Sequence, residues 1–204
     1  MKKPYQHPLD FYLLIPCYNN VEGLIRSLQS VSYTSKKFSV LVIDDGSKNT
    51  IDQSDILFHL HPDFPLEIIR LPKNQGITRA LNVGLQVLQE RNNAQFIARL
   101  DCGDICDPRR FHRQVEFLNN NPQINLVGSW CLFKNYTTGS AYQYKTAKEH
   151  TEIYRGMYFK NIFIHPTVMW RSETLNKIGA YPEEFPHAED YGFFYEILNH
   201  GESA

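Results

Sequence analysis

Three acidic clusters carry the chemistry in this sequence. Asp44-Asp45-Gly46-Ser47 follows the apolar run Phe38-Ser39-Val40-Leu41-Val42-Ile43. Asp101-Cys102-Gly103-Asp104 follows Phe96-Ile97-Ala98-Arg99-Leu100. Glu189-Asp190 stands where a final helix is predicted to begin. A short apolar run bounded by turn residues reads as a buried parallel strand. Open α/β sheets bind ligands just beyond the carboxyl ends of such strands. Two acidic strand ends in one sheet would therefore place several carboxylates around one crevice. Carboxylates do not hold a phosphate directly. They hold a metal that holds a phosphate, or they accept hydrogen bonds from a base or ribose. The residues point to a nucleotide-linked substrate.

The elements that must position these acids alternate along the chain. Residues 11–15 read as a strand that Pro16 stops. Asn19 or Asn20 can cap a helix with Leu24, Ile25, Leu28 and Val31 on one face. A second strand, 38–43, ends at the first acidic turn, and 66–71 is a third. Asn74-Gln75-Gly76 opens a helix whose buried face is Ile77, Leu81, Leu85 and Leu88. The fourth strand, 96–100, ends at the second acidic turn. Pro108 suits the first turn of the next helix, whose face is Phe111, Val115 and Leu118. Residues 124–133 and 165–170 are further strand regions, followed by a short helix over 172–178. This alternation predicts an α/β fold with a mainly parallel central sheet and helices on both faces. Between them lies a polar stretch crowded with Tyr142, Tyr144, Tyr154, Tyr158 and Phe159. It reads as a substrate-facing extension rather than core. His59 and His61 read as surface loop.

Composition narrows the class. The chain has 204 residues, 42% of them hydrophobic and 13% aromatic, which excludes a disordered protein and fits one domain. A net charge of −1 argues against general nucleic-acid or anionic-membrane binding. Met1-Lys2-Lys3-Pro4 has no apolar signal region behind it, and 11–15 is far too short to span a bilayer. The expectation is a cytoplasmic protein, so the sequon Asn135-Tyr136-Thr137 carries little weight. Cys17, Cys102, Cys106 and Cys131 form no CxxC pair and are expected to be reduced thiols. The end at Gly201-Glu202-Ser203-Ala204, straight after the final helix, suggests a fragment of something longer.

Five motifs in order carry a family resemblance. They are Ile15-Pro16-Cys17-Tyr18-Asn19, Val42-Ile43-Asp44-Asp45-Gly46-Ser47, Asn74-Gln75-Gly76, Arg99-Leu100-Asp101-Cys102-Gly103-Asp104 with Pro108, and His187-Ala188-Glu189-Asp190. Together they resemble the family 2 inverting glycosyltransferases, which have the GT-A fold. The resemblance covers residues from about 11 to about 198. It implies that Pro16 lies where the backbone meets the nucleoside and that Asp45 hydrogen-bonds a uracil ring. It implies that Asp101 lies near ribose and diphosphate, that Gly76 and Arg79 lie near the donor, and that Glu189 precedes the catalytic base, Asp190. The implied reaction moves a sugar from a nucleotide-diphospho-sugar, uridine-linked by the Asp45 match, to a hydroxyl acceptor. The implied acceptor is a glycan or lipid-linked sugar in polysaccharide, lipopolysaccharide or glycan assembly. The donor side would be residues 11–135 and the acceptor side 136–204 of a single domain. Association with the inner face of a membrane, through a missing C-terminal part, is compatible with it.

One position departs from the family pattern. The third residue of the acidic loop is Gly103 where the family usually has an acid. Mn²⁺ or Mg²⁺ would then rest on Asp101 and Asp104, with diphosphate oxygens completing the shell. Gly103 also motivates a second reading, a catalytically degenerate nucleotide-sugar-binding or scaffold module. Taken singly, Asp44-Asp45 reads as a turn, Glu189-Asp190 as first-turn acids favoured by the helix dipole, and His165 as a core histidine. A sugar-nucleotide pyrophosphorylase would need a glycine-rich loop after the first strand, and 15–19 does not supply one.

Overall fold

The computed structural model describes residues 9–135 and 137–200. The N-terminal Met1-Lys2-Lys3-Pro4, the sequon's Tyr136 and Gly201-Glu202-Ser203-Ala204 lie outside the described residues. Strands β1 (Leu9–Cys17), β2 (Phe38–Asp44), β3 (Leu66–Arg70) and β4 (Ala94–Arg99) form the parallel part of one sheet. Helices α1 (Val21–Gln29), α2 (Gln53–Phe58) and α3 (Ile77–Arg91) connect them. After β4 come α4 (Arg110–Asn120), β5 (Leu126–Val127), β6 (Cys131–Lys134), β7 (Ala141–Tyr144) and α5 (His150–Met157). The chain finishes with β8 (Met169–Arg171), α6 (Leu175–Ile178) and α7 (Glu189–Asn199). The six-stranded sheet runs β3-β2-β1-β4-β8-β5, with β8 antiparallel to both its neighbours. The fold class is the one expected, mixed α/β with a mainly parallel sheet.

Helices do cover both faces. Alternate residues of β1 point to opposite sides, the period-2 rule of a strand. Phe11, Leu13 and Ile15 pack with Leu24 and Leu28 of α1 and with Phe111, Val115 and Leu118 of α4. Tyr12 and Leu14 pack with Leu81 and Leu85 of α3 and with Phe193 and Phe194 of α7. Each fully buried side chain of this kind contributes roughly 1.5–3 kcal/mol. Asn20 caps α1, its side chain accepting from Gly23 N at 3.0 Å.

Several expected boundaries shift for physical reasons. Pro16 does not stop β1, which continues to Cys17. Leu14 and Pro16 face the same neighbour, and the Leu14 carbonyl already accepts from Leu100 N on the β4 side. The β1–β4 ladder ends at Leu14, so proline's missing N–H costs no ladder bond. Pro108 precedes α4 rather than standing in its first turn. Ile77, expected on the buried face of α3, is exposed, and Ala80 and Gly84 are buried there instead. The region 124–133 is two strands, because β6 leaves the main sheet and pairs antiparallel with β7. Residues 165–167 form a 3₁₀ turn before β8, not a continuous strand. The tyrosine-rich stretch contains β7 and α5, and α2 lies directly before His59.

Candidate active site

The first acidic turn is built by its own side chains. Asp44 is fully buried and accepts from Arg70 Nη1 at 2.7 Å and from Ser47 N at 2.9 Å. Gly46 has φ +66°, and a Cβ there would lie 2.3 Å from the Lys73 backbone carbon. Asp45 turns the other way and is almost wholly buried. Its carboxylate accepts from Asn74 Nδ2 at 2.8 Å, Gln75 N at 2.8 Å and Gly76 N at 2.9 Å. Asp45 and Gly76 are therefore in direct contact. A carboxylate has about four acceptor sites, so roughly one remains for a ligand. Across from this turn, Asn19 N donates to Ser47 Oγ and Lys48 N donates to Asn19 Oδ1, at 2.9 and 2.8 Å. These bonds tie the end of β1, with Pro16, to the end of β2.

The second acidic loop hangs on a buried arginine. Arg99 has no exposed surface. Its Nη1 donates to Leu14 O at 2.9 Å and Leu100 O at 3.0 Å, and its Nη2 donates to Asp101 Oδ1 at 2.6 Å. Nε donates to His165 Nε2 at 3.3 Å, which also meets the Tyr181 hydroxyl at 2.9 Å. Burial, and then the Arg99 charge, hold His165 well below the ordinary histidine value, so it is neutral at neutral pH. Asp104 is raised, first by desolvation and then by the Asp101 charge. Gly103 N donates to Ser27 Oγ at 2.8 Å, which ties the loop to α1. Cys17 and Cys102 bring their sulfurs within 3.2 Å at the ends of β1 and β4, and the four thiols are free.

The third cluster opens α7. Glu189 is buried, and Asp190 is half-buried beside Asn161, whose Nδ2 donates to Asp190 Oδ2 at 2.9 Å. Burial raises the Asp190 carboxyl, and the charges of Glu189 and Asp101 raise it further. Asp101 and Asp190 are thus near enough to feel one another. Arg79 pairs with Glu183 at 2.7 Å, both side chains half-exposed. Asn82, one turn on, binds Tyr181 through both its N–H and its carbonyl. Together they hold the segment that leads into α7.

A cleft of about 1170 Å³ opens between the acidic loop and the β6–β7 hairpin. Asp101, Gly103 and Asp104 line one wall, and Trp130, Leu132 and Phe133 line the other. Asp45, Gly76 and Asp190 are not among its lining residues. Four contributors carried no assigned role in the sequence reading: Arg99, Asn74, Asn161 and Tyr181. Arg99 did leave a signal. A charge inside an apolar strand must find partners, and this one finds four.

The glycosyl transferase family 2 profile matches residues 12–179. The chain belongs to that family. It is 28% identical over 196 residues to the amylovoran biosynthesis glycosyltransferase AmsE of Erwinia amylovora, covering 94% of this chain and 70% of that one. It is 25% identical over 179 residues to the Escherichia coli UDP-Gal:alpha-D-GlcNAc-diphosphoundecaprenol beta-1,3-galactosyltransferase, covering 87% and 63%. Among solved structures, Staphylococcus aureus TarS 1–349 with UDP superposes with a TM-score of 0.69 at 18% identity, covering 96% of this chain and 56% of that one. The mannosyltransferase PcManGT of Pyrobaculum calidifontis, in complex with GDP-Man and Mn²⁺, gives 0.68 at 19%, covering 100% and 57%. At such identities the structural likeness shows the fold alone, which is that of these glycosyltransferases.

A divalent cation fits this family 2 site only in part. Among the described residues, no group of three or more His, Cys, Asp or Glu is placed to hold a metal. Asp101 has one oxygen committed to Arg99. Asp104 is raised in part by Asp101, so two like charges converge with no third acid. A cation would relieve that repulsion, and two carboxylates with substrate phosphates suffice for Mg²⁺ or Mn²⁺.

Proposed function

We propose that this chain transfers a sugar from a uridine-linked nucleotide-diphospho-sugar to a hydroxyl acceptor, with inversion. Asp190 carries this reading. It is an acid at a helix start whose surroundings raise its proton affinity, electrostatically coupled to the acidic loop. A base whose pKa rises toward the working pH takes the acceptor's proton more effectively as the new bond forms. Attack from the face opposite the diphosphate inverts the anomeric carbon. Asp45 would spend its remaining acceptor site on the uracil N–H. Pro16, Gly76 and Arg79 would flank the nucleoside, and Glu189 would add negative charge beside Asp190. Asp101 and Asp104 would hold Mn²⁺ or Mg²⁺, which would offset the charge of the leaving diphosphate. Residues 11–135 would be the donor part, and 136–204 the acceptor part with the aromatic hairpin.

The names of the relatives support a UDP-sugar donor and a lipid-linked sugar acceptor on the way to a polysaccharide. Among the described residues, no helix is long and apolar enough to cross a membrane. We place the enzyme in the cytoplasm, at the inner face of a membrane where lipid-linked acceptors would be reached. Incubation with UDP-sugars and a lipid-diphospho-sugar acceptor should release UDP and yield the extended product. Binding of UDP-sugar with no release of UDP would instead favour the degenerate binding module that Gly103 motivates. Binding of neither would overturn the donor reading.

A further inference from the structure

Arg99 is the hub of the acidic loop, and His165 is the group that fixes its Nε edge. An arginine side chain only donates, so the His165 Nε2 that meets Arg99 Nε must accept. On this assignment the proton sits on Nδ1, and the Tyr181 hydroxyl donates to the same Nε2. The guanidinium is planar. With Nη1 on the Leu14 and Leu100 carbonyls and Nε on His165, its rotation about Cδ–Nε is fixed. Nη2 is then aimed at Asp101 Oδ1. One Asp101 oxygen is committed to Arg99, and this leaves the other to face a ligand. His165 lies 64 residues from Asp101 along the chain (165 − 101), and the hydrogen bonds that link the two run through Arg99.

We propose that His165 is a positioning residue, which orients Arg99 and, through it, the Asp101 carboxylate toward the donor diphosphate. This rests on the donor reading above. A positioning role separates the two parts of the donor. The diphosphate should feel the loss of His165, and the nucleoside, held at the β1 and β2 ends, should not. Glutamine can place an acceptor oxygen near the Nε2 position, whereas leucine removes that acceptor and leaves only the Tyr181 hydroxyl beside this edge of Arg99.

Calorimetric binding of UDP and of uridine, at fixed manganese, tests this on His165→Leu, His165→Gln, Asp101→Asn and the double variant Asp101→Asn/His165→Leu. His165→Leu should weaken UDP about tenfold and change uridine less than twofold. His165→Gln should bind UDP within threefold of the native chain. The double variant should bind UDP no more weakly than Asp101→Asn alone, since both changes act through one carboxylate. If His165→Leu does not fold, His165→Asn, too short to reach Arg99 Nε, takes its place. Native UDP affinity in the leucine variant, equal loss of uridine, failure of the glutamine rescue or multiplying effects in the double variant would each overturn the proposal. If the native chain binds neither ligand, the donor reading falls. The carboxyl ¹³C resonance of Asp101 then decides the positioning proposal. It should move in His165→Leu and stay in His165→Gln, and an unmoved resonance in His165→Leu would overturn it.

Discussion

As the proposed base, Asp190 has to be ionised to act, and its surroundings resist that ionisation. Burial disfavours the carboxylate, and Glu189 and Asp101 add like charge. In that role the raised pKa would move the acid limb of the kcat profile up from the ordinary aspartate value. The rate should fall as pH drops through that limb, because the protonated acid cannot accept the acceptor's proton. Asp190→Asn should lower kcat by about 10²–10⁴-fold and leave donor affinity nearly unchanged. The residual rate should no longer show that acid limb. A variant with the native rate, or one that keeps the same acid limb, would remove Asp190 from the base role. At this scale the sequence was legible where a charged residue type itself suggests chemistry, as at the proposed Asp45, Asp101 and Asp190. It was silent on Asn161 and Tyr181, since a neutral residue that bonds Asp190 or His165 leaves no charge pattern to read.

The element that Asp45 organises is the turn into α3. Three donors from 74–76 converge on its carboxylate, and Gly76 opens the helix with φ +89°. Asp45→Ala removes the acceptor shared by two backbone N–H groups and one amide of the exposed segment 74–76. A hydrogen bond to a charged group contributes about 1.5–3 kcal/mol, but water and relaxation recover part of the sum. A loss of about 3 kcal/mol, or roughly 6–12 °C in Tm for a domain of this size, is the expected outcome. Differential scanning calorimetry reads it, and an unchanged Tm would show that the loop is held elsewhere. The acidic loop behaves differently. Gly103 has φ +111°, a conformation that side chains rarely adopt, although only Asn20 Nδ2 comes within 4 Å of an added Cβ, at 3.4 Å. Backbone strain rather than crowding therefore opposes Gly103→Asp. The substitution should cost about 1–3 kcal/mol in chemical denaturation rather than complete a metal site. Legibility follows the same physics. Elements with a buried face, β1 to β4 with α1, α3 and α4, were readable because burial imposes a period. The β6–β7 hairpin has seven exposed residues of eight and so lacks that signal, and α2 is only six residues long.

At the scale of the whole molecule, the sheet order places the β1, β2 and β4 ends side by side, and α7 begins with Asp190 near enough to Asp101 to feel its charge. The fold class was legible because strand–helix alternation leaves few topologies. The return of β8 between β4 and β5 was not, since a three-residue antiparallel strand carries no direction in its sequence. This arrangement makes a global prediction about metal and nucleotide. The chain brings two acids to the loop, one already shared with Arg99, so manganese without nucleotide should bind very weakly. Diphosphate oxygens would supply most of the remaining coordination, and each ligand should then tighten the other by the same factor. UDP at one hundred times its dissociation constant should stabilise the fold by about 2.7 kcal/mol, and manganese should lower the UDP concentration needed to reach that gain. Calorimetric titration of manganese with and without UDP, beside thermal melts, measures both arms of the cycle. Tight manganese binding by the chain alone would mean that Asp101 and Asp104 form a complete site despite Arg99. No effect of manganese on UDP affinity would leave the diphosphate charge to be met by protein donors.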